Sequence, residues 1–363
     1  MRKNQGEEMA ASNAFYGALN AKIGALRGKL LDYNDYYMLS RSKSVRDATV
    51  ALREYPAYSG HAINIENGEN LRRNPVEPSL AATITGDFSR IYSFVSDTGA
   101  RAFLDAYYLK IEIIVLKHIL STIYDNRNIP YSHAELARIF TKRAKLDIQR
   151  LFEAKTPGEF IESLRGTEFE LRSITTDQNT SSLFFLAAEL GLRYYLHIKR
   201  MRTKGQHKPN IQAFNYIFGV ETDLRNAMWV YRLKRWYDVP PSLIYAYLVP
   251  SYYKLKKDDL TKLVETTNLQ SLDAVLAETP YGVAFEDKTR LENGYYSEMR
   301  KVYKRAGNLF PNSIASAAAY LHFKEIELKN ITALIEGVRY NLSPDDILKH
   351  ILFTDKTEGR RNS

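Results

Sequence analysis

Residues 147–169, DIQRLFEAKTPGEFIESLRGTEF, align without a gap on 259–281, DLTKLVETTNLQSLDAVLAETPY, at an offset of 112. Asp147 meets Asp259, Leu151 meets Leu263, Glu153 meets Glu265, Leu164 meets Leu276 and Thr167 meets Thr279. A second step of 112 toward the N-terminus reaches 35–57, where Asp35, Leu39 and Leu52 keep their columns and Pro56 matches Pro280. One offset used twice restricts the chain to folds built from diverged copies of a single unit. Periods of about 20–50 residues stack as solenoids, whereas a period this long lets each copy bury a small core of its own. The expected organisation is an N-terminal tail at 1–12, three helical repeats at 13–122, 123–243 and 244–354, and a disordered tail at 355–363.

The copies are helical. Apolar residues recur at three and four, and β-branched alternation is nearly absent. Breaker-rich connections are expected at 59–79, 125–130, 202–210, 238–242 and 306–312. Ser132 with Glu135 has capping-box spacing, and Ser343 before Pro344 reads as an N-cap followed by Pro at the first helical position.

A second phrase repeats at an offset of 104. DLRNAMWVYRLK at 223–234 returns as ELKNITALIEGV at 327–338, and a weak copy at an offset of 115 covers 109–117. On a helix, Gly219, Asp223, Asn226, Val230 and Leu233 share one stripe, and Phe323, Glu327, Asn330, Leu334 and Gly337 share another. Each stripe is apolar, small or aromatic except for an acid and an Asn at i,i+3. If that face packs inward, the pair must be hydrogen-bonded, because each unpaired group costs about 1–3 kcal/mol. Two roles fit the pairs Asp223–Asn226 and Glu327–Asn330: devices that fix helix register, or groups lining an inter-unit surface or binding mouth. The first copy has Tyr108 and Ile111 in these columns and lacks the pair.

Composition narrows the chemistry. The 363 residues contain no Cys, which excludes disulfides, thiolate metal sites and Cys nucleophiles. The opening MRKNQGEEM has no apolar core of a secretory signal, and runs such as LFFLAAELGL fall short of a bilayer span. The net charge of +9 favours anionic partners. Arg193, Lys199, Arg200, Arg202, Lys204 and Lys208 form an acid-free basic run that also holds Tyr194 and Tyr195. Such a run reads as a solvated helix end, or as a surface for nucleic acid through phosphate neutralisation and stacking.

Catalytic signatures are missing. GALRGKL at 24–30 is one residue short of a P-loop and lies in a helical pattern, and neither G-x-G-x-x-G nor G-x-S-x-G occurs. His322 and Glu325 share a helical face without a second His–acid set. Tyr252 and Lys256 have the spacing of Tyr-x-x-x-Lys dehydrogenases without a dinucleotide fold around them. No catalytic residue, cofactor or metal is expected.

Three segments carry a family resemblance: YGALNAKIGALRGKLL (16–31), FLDAYYLKIEIIVLKHIL (103–120) and AAAYLHFKEIELKNITALIEGVRYNLSPDDILKHI (317–351). With the triplication and the absence of Cys, the chain resembles the C subunit of the A/V-type ATPases, whose eukaryotic V-ATPase counterpart is the d subunit. The resemblance implies an all-α funnel of three similar bundles about a pseudo-threefold axis. It implies a non-catalytic central-stalk subunit on the cytoplasmic side of the membrane. Its partners would be the D and F subunits of the central shaft and the membrane rotor ring, with torque passed between the ATP-hydrolysing head and an ion-carrying ring. The alternative from charge and Tyr content alone is a helical-repeat nucleic-acid-binding protein.

Overall fold

Helix ends organise this molecule. The computed structural model describes residues 2–59, 76–171, 183–201, 207–288 and 290–352. Among them are sixteen α-helices, one short 3-10 turn and no strand, the all-α class expected. In order these are α1 (Arg2–Arg27), α2 (Tyr33–Ser40), α3 (Val45–Arg53), α4 (Val76–Phe94), α5 (Thr98–Tyr124), α6 (His133–Ile139), α7 (Ile148–Glu153) and α8 (Pro157–Ser163). There follow α9 (Leu183–Arg200), α10 (Lys208–Tyr237), α11 (Pro241–Tyr247), α12 (Lys257–Glu265), α13 (Leu269–Glu278), α14 (Leu291–Leu309), α15 (Ala315–Arg339) and α16 (Pro344–Leu348).

The 112-residue offset has a physical counterpart in the caps. Ser44, Thr156 and Asn268 are the N-caps of α3, α8 and α13, and each side chain accepts the amide three residues on. One helical stretch further along, Leu52, Leu164 and Leu276 occupy the same column, and all three are buried. Thr167 and Thr279 repeat a detail: each hydroxyl donates to the carbonyl of the Leu three residues back and accepts the amide two residues on. Both predicted caps are present. Glu135 N donates to Ser132 Oγ at 3.2 Å while Ser132 N donates to the Glu135 carboxylate at 2.8 Å. Asp346 N donates to Ser343 Oγ at 3.2 Å, with Pro344 opening α16.

The long helices α5, α10 and α15 stop alike. Asn126, Asp238 and Asn341 have φ of 51°, 46° and 54°, the left-handed conformation that Asn and Asp tolerate best among non-glycines. Main-chain amides just past each stop fold back onto the last turn, as in Arg127 N to Thr122 O, Val239 N to Leu233 O and Leu342 N to Gly337 O.

Four of the five expected breaks are partly helical: α10 begins at Lys208 within 202–210 and α11 at Pro241 within 238–242, and the other two follow. Part of the connection read at 59–79 belongs to α4, which starts at Val76; Pro78 falls in its first turn, where the missing N–H has no helical partner to lose. α14 runs through Ala306 and Gly307 to Leu309, so that break begins later than the glycine implied. α1 is helical from Arg2, and residues 355–363 lie outside the described residues.

The chain forms two compact units, Met1–Leu104 with Tyr303–Ser363, and Asp105–Val302. The first is built around α15, which packs against α1, α2, α3, α4 and α16. Its core includes Tyr36, Leu39, Leu52, Ile331, Leu334 and Ile347. In the second, α10 packs against α11, α12 and α13, with Ile217, Leu224, Val230 and Leu233 buried. Gly337 marks a close approach in the first unit, since a Cβ there would lie 2.6 Å from Ile347 of α16.

Candidate functional site

The repeated acid and Asn hold the chain segments that follow or adjoin their helices. On α10, Asn226 Nδ2 donates to Val249 O at 2.9 Å and its Oδ1 accepts Val249 N at 3.0 Å. On α15, Asn330 makes the same two-bond clamp on Leu352, at 2.7 Å each way. Asp223, one turn before Asn226, accepts the amides of Tyr253, Lys254 and Leu255 at 3.1, 2.7 and 2.8 Å and the Tyr281 hydroxyl at 2.9 Å. Burial pushes the Asp223 carboxyl up against the pull of these donors. Glu327 accepts Leu31 N at 2.5 Å, Tyr58 Oη at 2.6 Å and Lys324 Nζ at 2.7 Å. All four predicted side chains are buried, and every one of their polar atoms is used inside its own unit.

Lys324 was not anticipated. It is fully buried one turn before Glu327, with its ammonium 4.2 Å from the centre of the Tyr58 ring and 2.9 Å from that hydroxyl. A lysine three residues before the acid of the repeated stripe was the available signal, but the pair looks like an ordinary surface i,i+3 bridge.

A third acid completes the series. Glu112 on α5 is buried and receives Arg143 Nε at 2.9 Å to both oxygens and Nη2 at 2.5 Å. Arg143 stands 112 residues before Leu255 and 112 after Leu31, the two residues whose amides meet Asp223 and Glu327. Phe169, in the column of Tyr281, lies 5.7 Å from the Arg143 guanidinium. The offset of 115 had placed Tyr108 and Ile111 in these columns; the acid lies one residue beyond Ile111, and Val115 stands three residues after it where the other copies have Asn. Burial raises the Glu112 carboxyl to about 7 despite the opposing pull of Arg143.

The base of the repeated phrase diverges. Arg225 is buried between the rings of Tyr195 and Trp229, 4.7 and 5.2 Å from their centres, whereas Lys329 is exposed. Beside Arg225, Glu221 accepts from Lys110, Tyr195 and Tyr295 at 3.3, 3.3 and 3.1 Å.

The basic run separates into roles. Arg193 pairs with Glu189 at 2.9 Å within α9. Lys199 and Arg200 are exposed in the last turn of α9, where cations complement the helix dipole, and Lys208 is exposed at the start of α10. Arg202 and Lys204 lie outside the described residues. Tyr194 and Tyr195 are buried, so neither offers the stacking face that nucleic-acid binding by this run required. Lys199 donates to Pro250 O, which brings the end of α9 against the 249–256 loop held by Asp223 and Asn226. Lys199 of the basic run and the Asp223–Asn226 pair therefore meet at one loop.

The remaining features do not converge on reactive chemistry. His322 is buried with its ring stacked 4.3 Å from Tyr303, and Lys256 Nζ donates to Tyr253 O rather than toward Tyr252. The first unit has an open hollow of about 400 Å³ with Lys22, Lys29 and Arg90 in its wall, and another of about 350 Å³ with Arg27 and Lys304. Among the described residues no helix is long and apolar enough to cross a membrane.

The family model described as ATP synthase (C/AC39) subunit matches residues 19–350. The chain is 21% identical to the C subunit of the A-type ATP synthase of Methanosphaera stadtmanae, covering 92% of this chain and 86% of that one. It is 22% identical to the same subunit from Thermococcus gammatolerans (92% and 88%) and 25% to that from Methanocaldococcus jannaschii (94% and 87%). The chain belongs to the ATP synthase (C/AC39) subunit family and is a non-catalytic subunit of a rotary ATPase.

Proposed function

We propose that this protein is the central-stalk coupling subunit of its ATPase. In this reading it joins the D and F subunits of the shaft to the membrane ion-carrying ring on the cytoplasmic side, and its three diverged copies form a funnel. The observation that carries the reading is the family match across residues 19–350. The way the repeated residues are used supports it. Asp223, Asn226, Glu327 and Asn330 act as clamps that hold loop segments onto α10 and α15 and stiffen the body, and torque transmission needs a stiff body more than a reactive pocket. The exposed members of the basic run, Lys199, Arg200 and Lys208, face a partner. A basic collar close to a membrane also gains from acidic protein surfaces and anionic head groups.

Purification of the tagged chain from detergent-solubilised native membranes tests the reading. The expected companions are the D and F subunits and the ring protein, retained after nuclease treatment. Recovery without any ATPase subunit, or release of the bound material by nuclease, would overturn it.

A further inference from the structure

The 249–256 loop of the second unit combines rigidity, exposed aromatic surface and exposed positive charge. Its backbone is fixed at Val249 by Asn226 and at Tyr253, Lys254 and Leu255 by Asp223. Tyr253 lies directly on α10, where a Cβ on Gly219 would come within 2.6 Å of its ring, so glycine is what admits the tyrosine. On this fixed backbone Tyr252 is 45% exposed and Tyr253 36% exposed. Lys254 and Lys256 are exposed on the same loop, Lys199 arrives from α9, and Arg200 follows it, exposed, at the end of that helix. Lys199 and Lys256 donate to the carbonyl oxygens of Pro250 and Tyr253. Those neutral acceptors orient the ammonium groups and leave their charge standing.

From this geometry we infer a docking surface for an acidic segment of a partner protein, centred on Tyr252 and bordered by Lys199, Arg200, Lys254 and Lys256. The inference rests on the coupling reading above for the identity of the partner, the stalk. Tyr and Arg are the residue types enriched where proteins meet, and a loop ordered in advance loses little entropy on binding. Cations around an aromatic centre select carboxylates and exclude basic surfaces. A protein segment fits better than nucleic acid. Asp258 is exposed in the first turn of α12, immediately after this loop. A continuous phosphate chain running past Lys254 and Lys256 would meet that carboxylate, whereas a partner with discrete acids avoids it.

The test measures affinity of the full-length chain for the purified D–F pair at two salt concentrations, for wild type, Tyr252→Ala, and a Lys199→Glu/Lys254→Glu double variant. These side chains are exposed and the one hydrogen bond lost, Lys199 to Pro250 O, lies at the surface, so circular dichroism should match wild type and thermal unfolding should stay close to it. The expected result is a loss of about tenfold or more in affinity for Tyr252→Ala, the size of an interface anchor. The double variant should bind more weakly and with a shallower salt dependence. Wild-type affinity in both variants would overturn the docking surface while leaving the coupling role intact. Failure of the wild type to bind the pair would overturn both. Tight, steeply salt-dependent binding of a single-stranded oligonucleotide that these substitutions abolish, with D–F binding unchanged, would reassign the surface to nucleic acid and overturn the inference.

Discussion

Glu327→Ala is expected to destabilise the unit around α15 by about 3–5 kcal/mol, the cost of removing one partner from a buried ion pair. Three donors converge on this carboxylate: Leu31 N, Tyr58 Oη and Lys324 Nζ. Lys324 is fully buried, so among the described residues its ammonium would keep the Tyr58 hydroxyl and ring as its close partners. Leu31 leads directly into the capping box of α2, where Asp32 and Asp35 exchange backbone and side-chain bonds, so its release should loosen the start of α2 as well. The control separates charge from hydrogen bonding. In the double variant Lys324→Met/Glu327→Gln, the amide oxygen still accepts from Leu31 or Tyr58 and no buried charge remains. This variant should recover most of the loss. Hydrogen exchange at Leu31 in the full chain, with denaturant unfolding, reads both effects. A loss below about 1 kcal/mol for Glu327→Ala, in the range of an exposed pair, would contradict the account of this clamp.

Asp223→Ala should cost the second unit about 3 kcal/mol, counting the buried donors it strands at about 1–3 kcal/mol each. Leu255 and Tyr281 are buried, so Leu255 N and Tyr281 Oη have little access to replacement water, whereas the amides of the exposed residues Tyr253 and Lys254 can be solvated. The signature is local. Exchange at 253–255 should accelerate far more than at the Val249 amide, which Asn226 still holds. Affinity for the proposed stalk partners should also fall although Asp223 is itself buried, because the loop presenting Tyr252 would no longer be ordered before binding. Unchanged exchange at Leu255 would show that the loop is held by something other than this carboxylate.

The secondary structure and much of its punctuation were legible because their causes are local. Apolar spacing at three and four, the hydroxyl of Ser132 and the Pro after Ser343 act within a few residues of themselves. The repeat was legible because Leu52, Leu164 and Leu276 keep one column at a fixed spacing; that the N-caps Ser44, Thr156 and Asn268 share the same spacing emerged only in the structure, because three different residue types do the one job. The destinations of the polar pairs were not legible, because they are set by tertiary packing: Glu327 reaches Leu31, 296 positions away. Lys324 and Arg225 were hidden by their chemistry, since a long cation reads as surface until its carboxylate or aromatic neighbours are known. Glu112 was missed for a different reason. The acid survived in the first copy, but its partner changed from backbone amides to Arg143 and its companion Asn became Val115, so an alignment by residue type slid past it.

Transport by the assembled machine tests the central claim most directly. Vesicles carrying the complete ATPase would be compared with vesicles assembled without this chain, and with the latter after the purified chain is added back. A coupling role predicts that ATP hydrolysis by the head continues without the chain, that ATP-driven ion uptake is lost, and that uptake returns on addition. Ion uptake that persists undiminished without the chain, or ATP hydrolysis by the purified chain alone, would contradict the account.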